Sequence, residues 1–123
     1  MQPPAVAVLG AWHLLVWATR VRNVLADASL SGGDKAGQAG VAALFVLGGV
    51  ALVALAATDR ARSQPLVVRV LAVAGAAYWL VRTPFIATND HPAGFIAVHV
   101  VLALVTAALS AWAFVSVPRH RAQ

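Results

Sequence analysis

Apolar positions along the chain run in four long stretches, broken by three short polar ones. The last stretch, Ala93 to Val117, is 25 residues without Asp, Glu, Lys or Arg. A helix rising about 1.5 Å per residue over that length crosses a hydrocarbon core of roughly 30 Å. Its partner begins at Leu66 and ends in Tyr78-Trp79-Leu80-Val81-Arg82-Thr83-Pro84, reaching Ile86. Thr88-Asn89-Asp90-His91-Pro92 reads as the turn between them, with Asp90 or His91 capping a helix that starts at Pro92.

An earlier pair precedes this hairpin. Ala5 to Ala18 is apolar except for His13, and fourteen residues reach only about 21 Å. The span must therefore include Thr19 and Arg20, because an arginine near a helix end can extend its head to water. An amphipathic continuation through Val21, Val24, Leu25 and Ala28 ends the first helix. Ser31 to Gly37 reads as a loop of glycines and small polar residues. The second helix carries a small-residue face of Gly48, Ala51, Ala54 and Thr58, which permits close helix approach. Asp59 to Pro65 is a short basic connection. The expected fold is all-α: a small integral membrane protein, an antiparallel bundle of four transmembrane helices over 5–28, 38–58, 66–86 and 92–117. Residues 1–123 read as a single domain.

Composition agrees with that pattern. The chain is 61% hydrophobic and only 11% charged, against about 25% charged residues in soluble domains. A sequence pI near 11.5 would suggest nucleic acid in a soluble protein, but these arginines flank apolar stretches instead of lining one face. No nucleic-acid partner is expected. Cysteine is absent, which excludes disulfides and thiolate chemistry. The start, Met1-Gln2-Pro3-Pro4, lacks the basic region of a signal peptide, so the first apolar stretch is expected to remain as a helix.

Four spans place both termini at one end, called end A, together with the 59–65 connection. End A carries Arg60, Arg62, Arg69, Arg119 and Arg121 against Asp59. End B carries Arg20, Arg22, Lys35 and Arg82 against Asp27, Asp34 and Asp90. The surplus of arginine at end A points to a cell-membrane protein with both termini cytoplasmic.

The candidate chemistry gathers toward end B. His13, Trp17, Arg20, Val24 and Asp27 share one face of the first helix. Leu71, Gly75, Tyr78 and Arg82 share one on the third. Phe95, His99, Leu102, Thr106 and Ser110 share one on the fourth. Polar faces inside a membrane turn away from lipid. A ligand pocket is therefore expected, framed by Arg20, Tyr78, Arg82, Asn89, Asp90, His91 and His99. In this reading Arg82 clamps an acceptor, Tyr78 donates a hydrogen bond and His99 closes the floor. The alternative makes Arg20, Arg22 and Arg82 headgroup anchors; Arg22 lies off the stripe. Trp17 and Trp79 read as members of an interfacial belt near end B, and Trp112 near end A.

His13 and His99 are the ionisable residues well inside the spans. Two facing histidines can hold haem iron or serve a quinone. Counted along their helices, their depths in the core differ by about 7 Å, more than axial ligands tolerate. A histidine bonded to a backbone carbonyl is the ordinary alternative. No cluster of three metal ligands is evident, so no metal is expected. Asp90–His91 is the lone acid/base candidate, and helix capping accounts for it more simply.

Three functions follow. The first is a non-enzymatic accessory or oligomeric membrane component, its partners being membrane lipids and another membrane protein or a second copy of itself. The second is a lipid or small-anion binder or transporter using the arginine–histidine pocket. The third is a haem or quinone redox module.

Overall fold

A computed structural model describes residues 3–88 and 91–119. It contains four helices: α1 Pro4–Ala26, α2 Gly32–Ala57, α3 Pro65–Thr88 and α4 Ala93–Ser116. All four are long and apolar enough to cross a membrane. Large apolar side chains also cover the outside of the bundle: Leu80 is 71% and Val115 75% exposed. Such a surface suits lipid and not water.

Each helix end has a local cause. α1 starts on Pro4, whose missing N–H costs nothing in the first turn. It stops at Ala26, two residues short of expectation, because the Asp27 carboxylate accepts from both the backbone N–H and the hydroxyl of Ser29. That local turn competes with the helix. The Ser31–Gly37 stretch departs further from expectation: it is not a loop but the start of α2. Ser31 caps the helix by accepting from the Asp34 N–H at 3.1 Å. Asp34 also places negative charge at the positive end of the helix dipole. These effects offset the cost of about 1 kcal/mol per helical glycine.

α2 ends in a Schellman turn. Asp59 takes a positive φ of 58°, and the Arg60 N–H reaches back to the Leu55 carbonyl at 2.8 Å. α3 continues through Pro84 to Thr88. The Thr88 hydroxyl donates to the Pro84 carbonyl at 2.7 Å in this last exposed turn. At the start of α4, Pro92 occupies the N-cap and no side chain caps the helix. His91 is therefore not the cap; its ring stacks on Phe95, with centroids 4.5 Å apart. Asn89 and Asp90 lie outside the described residues.

The helices form an up-down bundle. α1 rests mainly on α2 and α3 mainly on α4, while α1–α4 contacts join the two pairs and α2 meets α3 only lightly. The α1–α2 crossing is tight. A Cβ on Gly10 would lie 2.9 Å from the Gly49 carbonyl oxygen, and one on Gly49 would lie 3.0 Å from that of Gly10. Gly48, one step around the helix, instead meets Leu71 of α3. At end A the core is fully apolar, with Val6, Leu9, Leu52, Val68 and Ala113 all at 0% exposure. At end B it is aromatic, built on Trp17 and Trp79 with Phe45 and Tyr78 against them.

Basic residues close two helix C-termini. Lys35, in the first turns of α2, donates to the Leu25 carbonyl of α1 at 3.2 Å. Arg69, one turn into α3, donates to the Phe114 and Val117 carbonyls at the end of α4, at 3.3 and 3.1 Å. Its guanidinium also lies 4.9 Å from the Phe114 ring centre. A cation at a helix C-terminus meets both orphan carbonyls and the negative end of the dipole.

Candidate functional site

The inward faces of α1, α3 and α4 meet around a cleft of about 370 Å³ toward end B. From α1 it takes Trp12, Val16, Trp17, Arg20 and Asn23; from α3 Tyr78, Trp79, Arg82 and Ile86; from α4 Phe95, Val98, His99 and Leu102. Within each helix these residues recur three or four apart, which places them on one face. Of the expected pocket residues, Arg20, Tyr78, Arg82 and His99 line this one cleft. His91 is outside it, beside Phe95, and Arg22 is exposed on the far side of α1.

Beside the cleft α1 and α4 are tied by a hydrogen bond, where the Trp12 indole donates to the Thr106 hydroxyl at 2.9 Å. That hydroxyl passes its own hydrogen to the Leu102 carbonyl at 2.7 Å. Aromatic rings pack against one another along and behind this cleft. Trp17 stacks on Phe45 at 4.5 Å and meets Tyr78 edge-on at 4.8 Å. Trp79 meets Tyr78 at 5.6 Å, and Phe95 lies 4.0 Å from the His99 ring. Edge-on and offset contacts of this kind hold rings in fixed directions.

Trp17 and Trp79 are thus not lipid-facing belt residues. They are 3% and 6% exposed, and neither indole N–H has a hydrogen-bond partner among the described residues. A buried, unsatisfied N–H is costly. For Trp17 its place on the inward stripe of α1 outweighs the general preference of tryptophan for the interface; Trp79 lies one position past the α3 stripe, four residues after the buried Gly75. Trp112, by contrast, is 45% exposed near end A, as a belt residue would be.

The polar groups of the cleft are mostly donors. Arg20 gives one N–H to the Gln38 side-chain oxygen of α2 at 3.0 Å. Gln38 is a residue that sequence reasoning treated only as a helix boundary. The Arg82 guanidinium has no hydrogen-bond partner among the described residues. Nδ1 of His99 lies 2.8 Å from the Phe95 carbonyl oxygen. A carbonyl only accepts, so Nδ1 carries the proton and Nε2 is the remaining ring nitrogen. No carboxylate lines the cleft among the described residues. Asp27, at the mouth of the bundle, is exposed, and its hydrogen bonds from Ser29 hold its pKa below the usual carboxylate value.

His13 lies apart from this arrangement. It is 2% exposed in the bundle interior, 5.9 Å from Phe45. Its ring lies against Gly75 so closely that a Cβ there would come within 2.7 Å. It does not line the cleft that His99 lines. The two histidines thus do not share the lining of this cleft. Among the described residues no three His, Cys, Asp or Glu side chains gather to hold a metal ion.

The fold and the lipid-facing surface define the class: this is a small multi-pass α-helical membrane protein. No family model, no curated protein and no solved structure matches the chain.

Proposed function

We propose that the protein is a non-enzymatic membrane component that holds a lipid or other anionic amphiphile in its end B cleft. One observation supports this above the others: Arg20, Tyr78, Arg82 and His99 line one cleft whose other lining residues are mostly apolar and aromatic. Guanidinium groups bind carboxylate and phosphate through paired hydrogen bonds. Apolar and aromatic walls with a few directed polar groups are the usual form of a small-molecule site. The arginines at end A favour a cytoplasmic location for both termini, which would open the cleft on the opposite side of the membrane. In this reading the protein acts as an accessory component beside a larger membrane protein.

The test is lipid retention. Protein extracted with native lipid is weighed intact by mass spectrometry as wild type, Arg82→Lys and Arg22→Lys. A bound amphiphile should persist in wild type and Arg22→Lys and be lost from Arg82→Lys, because a fork becomes a single mobile charge. Equal retention in all three would make the arginines interchangeable headgroup anchors. Reporter fusions after Gln123 and within residues 28–31 should report opposite sides, with Gln123 inside.

A further inference from the structure

A second cavity, of about 310 Å³, lies between α1, α2 and α3 at end B. It has Gly33, Asp34, Gly37 and Gln38 on its α2 side and shares Trp17, Arg20, Tyr78 and Arg82 with the cleft. These four side chains form the wall between the two spaces. On one side the wall faces aromatic and aliphatic residues. On the other it faces the polar first turns of α2. Arg20 spans the wall, since it lines both cavities and is tied to Gln38.

Resting on the cleft reading above, we propose that the ligand is a single-chain anionic amphiphile. Its head lies at the Arg20–Tyr78–Arg82 wall, reached from water through the α2 vestibule, and its chain lies in the cleft. Three features lead to this. Among the described residues the wall offers guanidinium and phenol donors and no carboxylate, so the head must be rich in acceptors. The cleft, at about 370 Å³, is near the small end of the roughly 300–1,000 Å³ typical of ligand sites, which suits one acyl chain and not two. Asp34 lines the vestibule and opposes an anion stopping there, so the stable position is at the wall. Gln38 is a positioning residue: it fixes Arg20 at the wall without touching the chain.

The experiment uses the full chain in detergent and reads quenching of tryptophan emission by brominated probes. Trp12, Trp17 and Trp79 all line the cleft, so a brominated chain inside it quenches them. A brominated fatty acid should quench saturably, and a neutral brominated monoacylglycerol should bind at least roughly tenfold more weakly, as expected for losing a charge-assisted hydrogen bond. A brominated lysophosphatidate, compared with the fatty acid, tells phosphate from carboxylate; either as the tighter ligand supports the proposal. Inorganic phosphate should fail to displace the probe. Gln38→Leu should weaken the anionic probe several-fold and leave the neutral one unchanged, which a general loss of structure would not do. Asp34→Asn should tighten the anionic probe by roughly two- to fivefold. Equal binding of anionic and neutral probes, displacement by inorganic phosphate, or an unaltered Gln38→Leu variant would each overturn the assignment. If a two-chain lipid is retained in an Arg82-dependent way while single-chain probes do not quench, the cleft reading survives and this inference falls.

Discussion

The two ends of the bundle solve the same packing problem differently. At end A, α1 and α2 close on each other with alanine, valine and leucine side chains at 0% exposure, and Arg69 seals the end of α4. At end B the interior is made of large flat rings that leave indole N–H groups unsatisfied and a cleft between three helices. Lipid tails are as apolar as leucine, so helices in a membrane gain little from hiding leucine alone; close fit supplies the stability. End A has that fit. End B gives it up for a space lined with donors, and departures of that kind mark functional sites.

The strongest way to break the contrast is at the α1–α2 crossing. Gly10→Ala and Gly49→Ala each push a methyl group against a backbone carbonyl that cannot step aside. Each should cost about 1–3 kcal/mol in a detergent unfolding titration. Gly40→Ala, with nothing within 4 Å of the new methyl, should be neutral or stabilising, by up to about 1 kcal/mol from helix propensity. Equal effects at all three would mean that the crossing is not the tight contact described. Next in size is Arg69. Arg69→Gln removes a cation bonded to two carbonyls at the end of α4 and should lower stability by roughly 1–2 kcal/mol, whereas Arg82→Lys at the other end should change stability by less than about 0.5 kcal/mol.

The smallest effect concerns Asp27. Its folded pKa lies below the ordinary aspartate value because Ser29 donates to the carboxylate. The carboxylate therefore contributes stability above the ordinary value of about 3.9, and that contribution fades as pH falls through the lower folded value. The difference in melting temperature between wild type and Asp27→Ala should be small at neutral pH and vanish in strong acid. A difference that grows with acid would reverse the sign.

The four spans are plain in the sequence because twenty or more apolar residues in a row have few alternatives to crossing a membrane. The inward stripes were also visible, since a 3.6-residue period needs no tertiary information. Other features depend on neighbours that one helix does not reveal. Gly48 and Gly49 differ by about 100° of rotation; only the assembled bundle turns Gly49 to α1 and Gly48 to α3. The start of α2 was hidden because Ser31, Gly32 and Gly33 favour turns by propensity, and the cap that overrides this is a single hydrogen bond. Gln38 gave no sign of its role, since its partner Arg20 lies eighteen positions away on another helix. The surroundings of His13 were equally hidden, since the ring packs against Gly75 of another helix.

The most direct measurement is an experimental map of the protein in native lipid at a resolution that shows side chains. Elongated density in the cleft between α1, α3 and α4, ending in a compact head against Arg20 and Arg82, is the predicted result. Arg20 and Arg82 both turned outward to the headgroup layer, with the cleft collapsed onto Trp17 and Trp79, would contradict it.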